Sequence, residues 1–554
     1  MTPSHVRPVV YTGARVFTAD PAQPWAQAVV VGTDGRIVFV GDETGARTAA
    51  GADAEIRDVT APDFAGGAPG RLIAPGFVDA HVHILLTGYA ELQAHLTDAT
   101  GLDEIQQRLL AWAAANPDEP RVMGQGWLFS QVPGGRPTRQ MLDAVIADRP
   151  VYLDCNDYHF AWVNTAALAE LGITDQTPDP EGGRIARDEH GVATGLLEET
   201  ASFGIVWPYL ASVRSAADHD RALAAAIAAY NAAGVTTAVD MMLDEPGLAA
   251  LVRARDAGTL DLRMTGHWMI ERPGTPEEHL AGVARAAELA RLHDGDRFRV
   301  VGIKIAVDGT IDGCTAALLR PYANGADPAP IWEYEALAPV VAAADAAGLQ
   351  IALHAIGDRA IRVALDVLEH AVAVNGPRPR RHRIEHLEYT DPVEIGRLAA
   401  LGVTASMQPV HADPAIMPNW VAQLGDHRAD RGFAWPEMRD AGAVLAFGTD
   451  APTAPYPPLR NLYVATTRLS AITAGTPAFL PHYALPMEEA WTHATRDAAW
   501  AAGLESVAGS LRVGAPADLV VLSADPFVDG PASLLEARVL ATLVSGRGVA
   551  GAWT

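Results

Sequence analysis

Eight apolar runs of strand length, most of them followed by a helix-forming stretch, constrain this chain more than any other feature. They are LIAPGFVDAHVH (72–83), VTTAVDM (235–241), LRMTGHWM (262–269) and VVGIKIAVDG (300–309), then LQIALHAIG (349–357), HRIEHLE (382–388), VTASMQP (403–409) and AVLAFGTDAP (443–452). Runs this apolar suit strands covered on both faces. Stretches rich in Ala, Leu, Arg and Glu separate most of them, such as LAPVVAAADAAG (337–348) and DRAIRVALDVLEHAV (358–372). Strand and helix in alternation predict the α/β class and a (β/α)8 TIM barrel over residues 71–505.

The two ends differ from this middle. Residues 8–40 alternate β-rich runs with Gly/Asp turns, and the tail repeats the texture in ADLVVLSADP and RVLATLVSGRGVAG. Short strands need partners. One small β-sandwich domain assembled from residues 1–70 and 506–554 is therefore expected, with FAGGAPGR (64–71) as a boundary. The interval from about 84 to 220 is too long for one crossover helix. Its aromatic and Gly/Pro content (GQGWLFSQVPGGRP, YLDCNDYHFAWVNTAAL) predicts an insertion over the barrel mouth.

Composition narrows the partners. The balance of 41 Lys+Arg against 67 Asp+Glu gives a formal charge of −26, which disfavours nucleic acid and anionic membrane surfaces. Two cysteines, Cys155 and Cys314, cannot build a disulfide framework or a cysteine-rich zinc module, and a reduced, cytoplasmic setting is the simplest reading. The start, MTPSHVRPVV, lacks a signal-like apolar core, and the charge-poor stretch 222–239 reads as helix, turn and strand rather than a membrane span. A soluble protein is expected.

Chemistry-bearing residues gather at strand ends. His81 and His83 close the first apolar run, and a side-chain period of two puts both imidazoles on one face. His354, His386 and Asp450 close later runs. Imidazoles and a carboxylate converging at the C-terminal mouth of a barrel are natural ligands for zinc or a similar divalent metal. Lys304 lies between two isoleucines, where an unpaired ammonium is costly to bury. It either reaches outward or pairs with Asp308 or Asp312, or its neutral amine takes up carbon dioxide as a carbamate, an anionic ligand able to bridge two metals. Trp127, His159, Trp162 and Asn164 in the insertion, and Gln408 and His411 after the seventh run, are candidates to face substrate. Asp79 could orient a ligand histidine, Asp358 reads as a helix N-cap, and Arg383 and Glu385 read as a structural pair.

PGFVDAHVH, the strand lysine, LHAIGD, RIEH, GTDAP and the closing GSLRVGAPADLVVL together resemble the amidohydrolase superfamily. HFAWVNTAAL, GGRIARDEHGVATGLLEE and FGTDAPTAPYPPL narrow the resemblance to the branch of N-substituted formamide deformylase and YtcJ-like proteins. The resemblance covers nearly the whole chain. It implies that His81, His83, Lys304, His354, His386 and Asp450 form the metal and catalytic set. His81, His83 and Asp450 would hold the more buried metal, His354 and His386 a second, with Lys304 bridging. The implied activity is hydrolysis of a linear amide C–N bond, of the N-substituted formamide or N-acyl amine type, by a metal-activated hydroxide with Asp450 as proton shuttle. One or two divalent ions, zinc for preference, are the expected cofactor, and a small-molecule amide the expected partner; a homodimer is compatible with the sequence. A cyclic-amide hydrolase or deaminase, and a non-catalytic metal or small-ligand binder on the same scaffold, are the alternatives. A carbohydrate-active barrel is disfavoured because its paired carboxylates are replaced here by histidines.

Overall fold

The computed structural model describes residues 7–61, 71–156, 158–180 and 182–554. The eight apolar runs become eight parallel strands that neighbour one another in sequence order. They are Phe77–Val82, Val235–Leu243, Arg263–Met269, Phe298–Ala306, Gln350–Ala355, Arg383–His386, Thr404–Met407 and Leu445–Phe447. The first and last strands meet beyond their formal ends. Val82 and Ala451 form a parallel bridge, His83 N donates to Ala451 O at 3.0 Å, and Asp450 N donates to His81 O at 2.8 Å. The (β/α)8 barrel expected from the sequence is thus present, closed at the residues expected to do chemistry.

Local signals set the surrounding helices. Glu245–Ala257 starts at Asp244, whose carboxylate accepts from Gly247 N, and stops at Gly258 in a left-handed conformation. Pro276–Leu292 begins with a reciprocal Thr275/Glu278 capping box. Asp358 departs from expectation. The cap of Asp358–Asn375 is Gly357, and the Asp358 carboxylate, one position inside, accepts from Leu319 N at 2.8 Å. Its bond to the preceding loop wins over the local cap. The short helix Arg496–Ala501 lies across the seam, where Ala498 and Ala499 pack with Val78, Ala80 and Ala446.

Both ends of the chain share one six-stranded sheet. Leu72–Pro75 runs antiparallel to Leu519–Leu522, with Arg15–Phe17 on its other side. A four-stranded sheet of Val9–Thr12, Ala28–Val31, Ile37–Gly41 and Glu55–Asp58 packs on it through Val9, Tyr11, Val29, Ile73, Leu519 and Val521. Arg263 of the third barrel strand reaches Asp518 beside this sheet, and both side chains are buried. Apart from Arg71, the expected boundary FAGGAPGR lies outside the described residues. The segment expected as an insertion forms its own compact unit, Ile84–Ala226, with a six-stranded sheet and an aromatic core. Among the described residues no helix is long and apolar enough to cross a membrane.

Gly448 is required where the seam closes. A Cβ there would lie 2.4 Å from His81 N and 2.7 Å from His81 Cβ. Gly448→Ala should therefore overpack the seam, at a cost of about 1–3 kcal/mol. Chemical denaturation should show an earlier midpoint, and an unchanged midpoint would mean the strands can part to admit a methyl group.

Candidate metal centre

The strand ends deliver their side chains to one small volume. His81 Nε2 and His83 Nε2 lie 3.2 and 2.9 Å from Asp450 Oδ1, and Lys304 Nζ lies 3.5 Å from His81 Nε2. The His81 and His386 rings are 4.9 Å apart between centroids, and those of His354 and His386 are 4.3 Å apart. Donor atoms of His81, His83 and Asp450 all fall within 4.8 Å of one another, as do those of His386, His411 and Asp450. The structure therefore brings together the five residues singled out at strand ends and Lys304 from within its strand, with Gln408 and His411 beside them.

The hydrogen bonds of the outward ring nitrogens fix which nitrogen faces inward. His81 Nδ1 donates to Glu385 Oε2 at 2.7 Å, leaving Nε2 with its lone pair toward Asp450. His386 Nδ1 meets the Gln408 side-chain oxygen at 2.8 Å, which likewise frees Nε2. His354 is reversed, since its Nε2 donates to the Gly309 carbonyl at 3.2 Å and leaves Nδ1 free. Burial, reinforced by Lys304, pushes His354 down to about 3. Burial also lowers His81 and takes His386 well below the ordinary histidine value, with Lys304 and His354 respectively adding to it. Neutral imidazoles with an inward lone pair are the form in which histidine binds a metal.

The charged groups are tuned in the same way. Burial alone would raise Asp450, but His81, His83 and His386 outweigh it and hold the carboxylate well below its ordinary range. Lys304 is 4% exposed, and burial lowers its ammonium against the pull of Glu385 and Asp450. It is also the only lysine in the sequence, which carries 41 Lys+Arg in all. Its outward and Asp308-paired readings are not realised, since its amine is buried beside His81.

Residues behind this layer were less visible in the sequence. Arg383 and Glu385, read as a structural pair, do form one, and its purpose is to brace His81. Both are fully buried, and Arg383 donates to Glu385, to Ala80 O at 2.7 Å and to Ser406 Oγ. Asp79 accepts from Thr449 N at 2.9 Å and from His81 N at 3.3 Å, so it ties the first strand to the turn carrying Asp450. Asp308 collects the backbone N–H groups of Ala317, Ile356 and Gly357, fixing the loop whose Gly309 carbonyl meets His354. Its position four residues beyond Lys304 was the one sequence signal for it.

Three of the substrate-facing expectations are corrected. Trp127 and Trp162 are fully buried in the core of the Ile84–Ala226 unit, with rings 5.5 Å apart and indole N–H groups donating to Leu153 O and Thr138 O. Asn164 is also buried, accepts from Val151 N and Ala167 N, and donates to Ile146 O and Arg149 O. Its capacity is spent on capping a helix and tying turns together. His159 is half-buried and meets Glu199 at 2.9 Å.

A parallel barrel whose strand ends converge neutral imidazoles, a buried amine and an ionised carboxylate defines a barrel hydrolase. The chain belongs to the amidohydrolase family, whose model matches residues 68–550. YtcJ of Bacillus subtilis (strain 168) is 32% identical over 86% of this chain and 89% of its own length. N-substituted formamide deformylase of Arthrobacter pascens is 28% identical over 98% of each chain. Among solved structures, an uncharacterized metal-dependent hydrolase from Pyrococcus horikoshii OT3 shares the fold, with a TM-score of 0.76 and 24% identity over 95% of this chain and 99% of that one.

The buried Arg383–Glu385 pair yields a stability prediction. Glu385→Ala leaves a guanidinium uncompensated in the barrel, which costs roughly 3–5 kcal/mol. Urea unfolding should register that loss, whereas a shift under about 1 kcal/mol would mean that water or Ser406 replaces the carboxylate.

Proposed function

We propose that the protein hydrolyses the C–N bond of a linear amide, of the N-substituted formamide or N-acyl amine type, with a divalent metal as cofactor. The observation that carries the reading is the convergence of His81, His83, Lys304, His354 and His386 around Asp450, with the outward nitrogens of His81, His354 and His386 engaged elsewhere. The deformylase relative, matched along almost its whole length, supports the substrate type.

The donor set fits a divalent ion, and zinc suits imidazole and carboxylate ligands. His81, His83 and Asp450 would hold one ion, His354 and His386 a second, and Lys304 would bridge them as its carbamate. A metal bound there lowers the pKa of water from 15.7 to about 7 and polarises a carbonyl. The protein supplies the rest. Asp450 Oδ1 faces the inward nitrogens of His81 and His83 and would share a metal with them, so Oδ2 is the oxygen available to take a proton from the attacking water. The same oxygen returns that proton to the departing nitrogen, which cannot leave as an amide anion. Glu385, Gln408 and the Gly309 carbonyl keep the imidazoles in the tautomers described above, and burial keeps the Lys304 amine open to carbon dioxide.

Two measurements test this reading. Asp450→Asn should keep most of its metal while amine release from a panel of N-alkyl formamides and N-acetyl amines falls at least about 100-fold, the low end for general acid–base catalysis. Turnover equal to wild type would remove Asp450 from the proton-carrying role. The single lysine makes carbamate formation directly visible. Protein equilibrated with 13C-bicarbonate should show one carbamate carbon resonance that Lys304→Met abolishes, and its absence from wild-type protein would end the bridging role.

A further inference from the structure

One imidazole at this centre is held differently from those of His81, His354 and His386. His411 sits on the short helical turn Pro409–Ala412, just beyond the seventh strand. Its Nε2 is 3.6 Å from Asp450 Oδ2, and its Nδ1 is 3.5 Å from Glu388 Oε1. The outward nitrogens of His81, His354 and His386 make hydrogen bonds of 2.7 to 3.2 Å, whereas both His411 contacts are longer than a good hydrogen bond. Glu388 itself is fixed, since Trp420 Nε1 donates to its Oε2 at 2.9 Å and Phe433 N to its backbone carbonyl at 2.7 Å. The His411 ring lies parallel to that of His386 with centroids 5.8 Å apart, at the edge of the cluster. A ring oriented by a rigid carboxylate, with contacts that are not yet tight, suits a group that completes its hydrogen bond only when substrate arrives.

We propose that His411, oriented by Glu388, is a catalytic residue whose Nε2–H donates to the carbonyl oxygen of the scissile amide. The proposal rests on the amide reading above. Asp450 Oδ2 is the oxygen that exchanges protons with the attacking water, so the attacked carbon must come to rest beside it. A reacting pair stands about 3–3.5 Å apart before attack. A ring nitrogen 3.6 Å from Oδ2 is therefore within reach of the carbonyl oxygen on that carbon. Both His411 nitrogens face carboxylate oxygens, which are acceptors, so the ring in its doubly protonated form would donate on each side. Negative charge grows on the carbonyl oxygen during attack, and a donor aimed there acts mainly on the transition state.

The test compares metal-loaded wild type with His411→Asn, whose shorter amide can still meet Glu388 but not reach the carbonyl, and His411→Gln, whose amide extends to the Nε2 position. Amide hydrolysis and the affinity for phenylphosphonate, a tetrahedral oxyanion, are both measured, alongside metal content. His411→Asn should keep wild-type metal stoichiometry and lose about 100- to 1,000-fold in kcat, as for removal of one oxyanion donor, and should weaken phosphonate binding by a similar factor. His411→Gln should regain part of both. Wild-type kcat or phosphonate affinity in His411→Asn would overturn the contact, and so would loss of metal, which would make the ring a ligand. Phosphonate binding that depends on His411 in a protein that hydrolyses no amide would end the amide reading while leaving this contact supported. Amide hydrolysis untouched by His411→Asn would do the reverse, and neither hydrolysis nor phosphonate binding in wild type would overturn both.

Discussion

Closure of the barrel is the constraint on which the rest of the structure depends. The first and last strands meet through Asp450 N to His81 O, His83 N to Ala451 O, and the Asp79 carboxylate to Thr449. Those contacts are made by the site residues or their immediate neighbours. Gly448 lets the backbones approach, and Asp450 takes a left-handed conformation (φ 61°) just after it, which turns its carboxylate toward the two histidines across the seam. A non-glycine residue in that conformation stores strain of order 1–3 kcal/mol. The surrounding hydrogen bonds hold it there. Folding and assembly of the site are one event, because the centre does not exist until the two ends of the sheet have met.

A buried centre of this kind must control charge, and the single lysine shows how. This chain uses arginine everywhere else it needs a cation, including the buried partners of Asp518 and Glu385. Arginine holds its proton under all ordinary conditions, which suits a permanent counter-ion. At position 304 burial instead lowers the pKa of an ammonium, against the pull of Glu385 and Asp450. A guanidinium could neither become neutral there nor react as an amine. The one lysine thus stands where burial weakens an ammonium's hold on its proton.

The sequence exposed the barrel and the inner layer of the site more readily than what supports them. His81, His83, His354, His386 and Asp450 were legible because each ends an apolar run, and strand geometry says where such ends point. Glu388, Asp308 and the Gly309 carbonyl were not. Their roles come from contacts across loops, such as Asp308 to Gly357 and Glu388 to Trp420, that no local periodicity encodes. Trp127, Trp162 and Asn164 were misjudged for a related reason. An aromatic, Gly/Pro-rich stretch suggests a binding surface, but the Ile84–Ala226 unit needs a core of its own and spends its large side chains there. Gln408 was placed near the mouth by sequence, and its observed bond to His386 assigns it to holding a ring.

The alternation of ring nitrogens explains why these supports cannot be exchanged freely. A histidine has two chemically similar nitrogens, and a metal or proton acceptor can use either. At His81 and His386 the outward atom is Nδ1, fixed by Glu385 and Gln408; at His354 it is Nε2, fixed by a backbone carbonyl. The inward atoms are therefore Nε2, Nε2 and Nδ1, set back from their Cα atoms by different lengths. That difference lets residues from neighbouring strands converge without identical backbone positions. It also makes each outer partner specific to its ring. An acceptor such as a carboxylate or carbonyl forces the proton outward, whereas a donor in its place would turn the lone pair away from the centre and leave an N–H pointing in. The direction of the inward lone pairs thus resides as much in the acceptors around the imidazoles as in the imidazoles themselves.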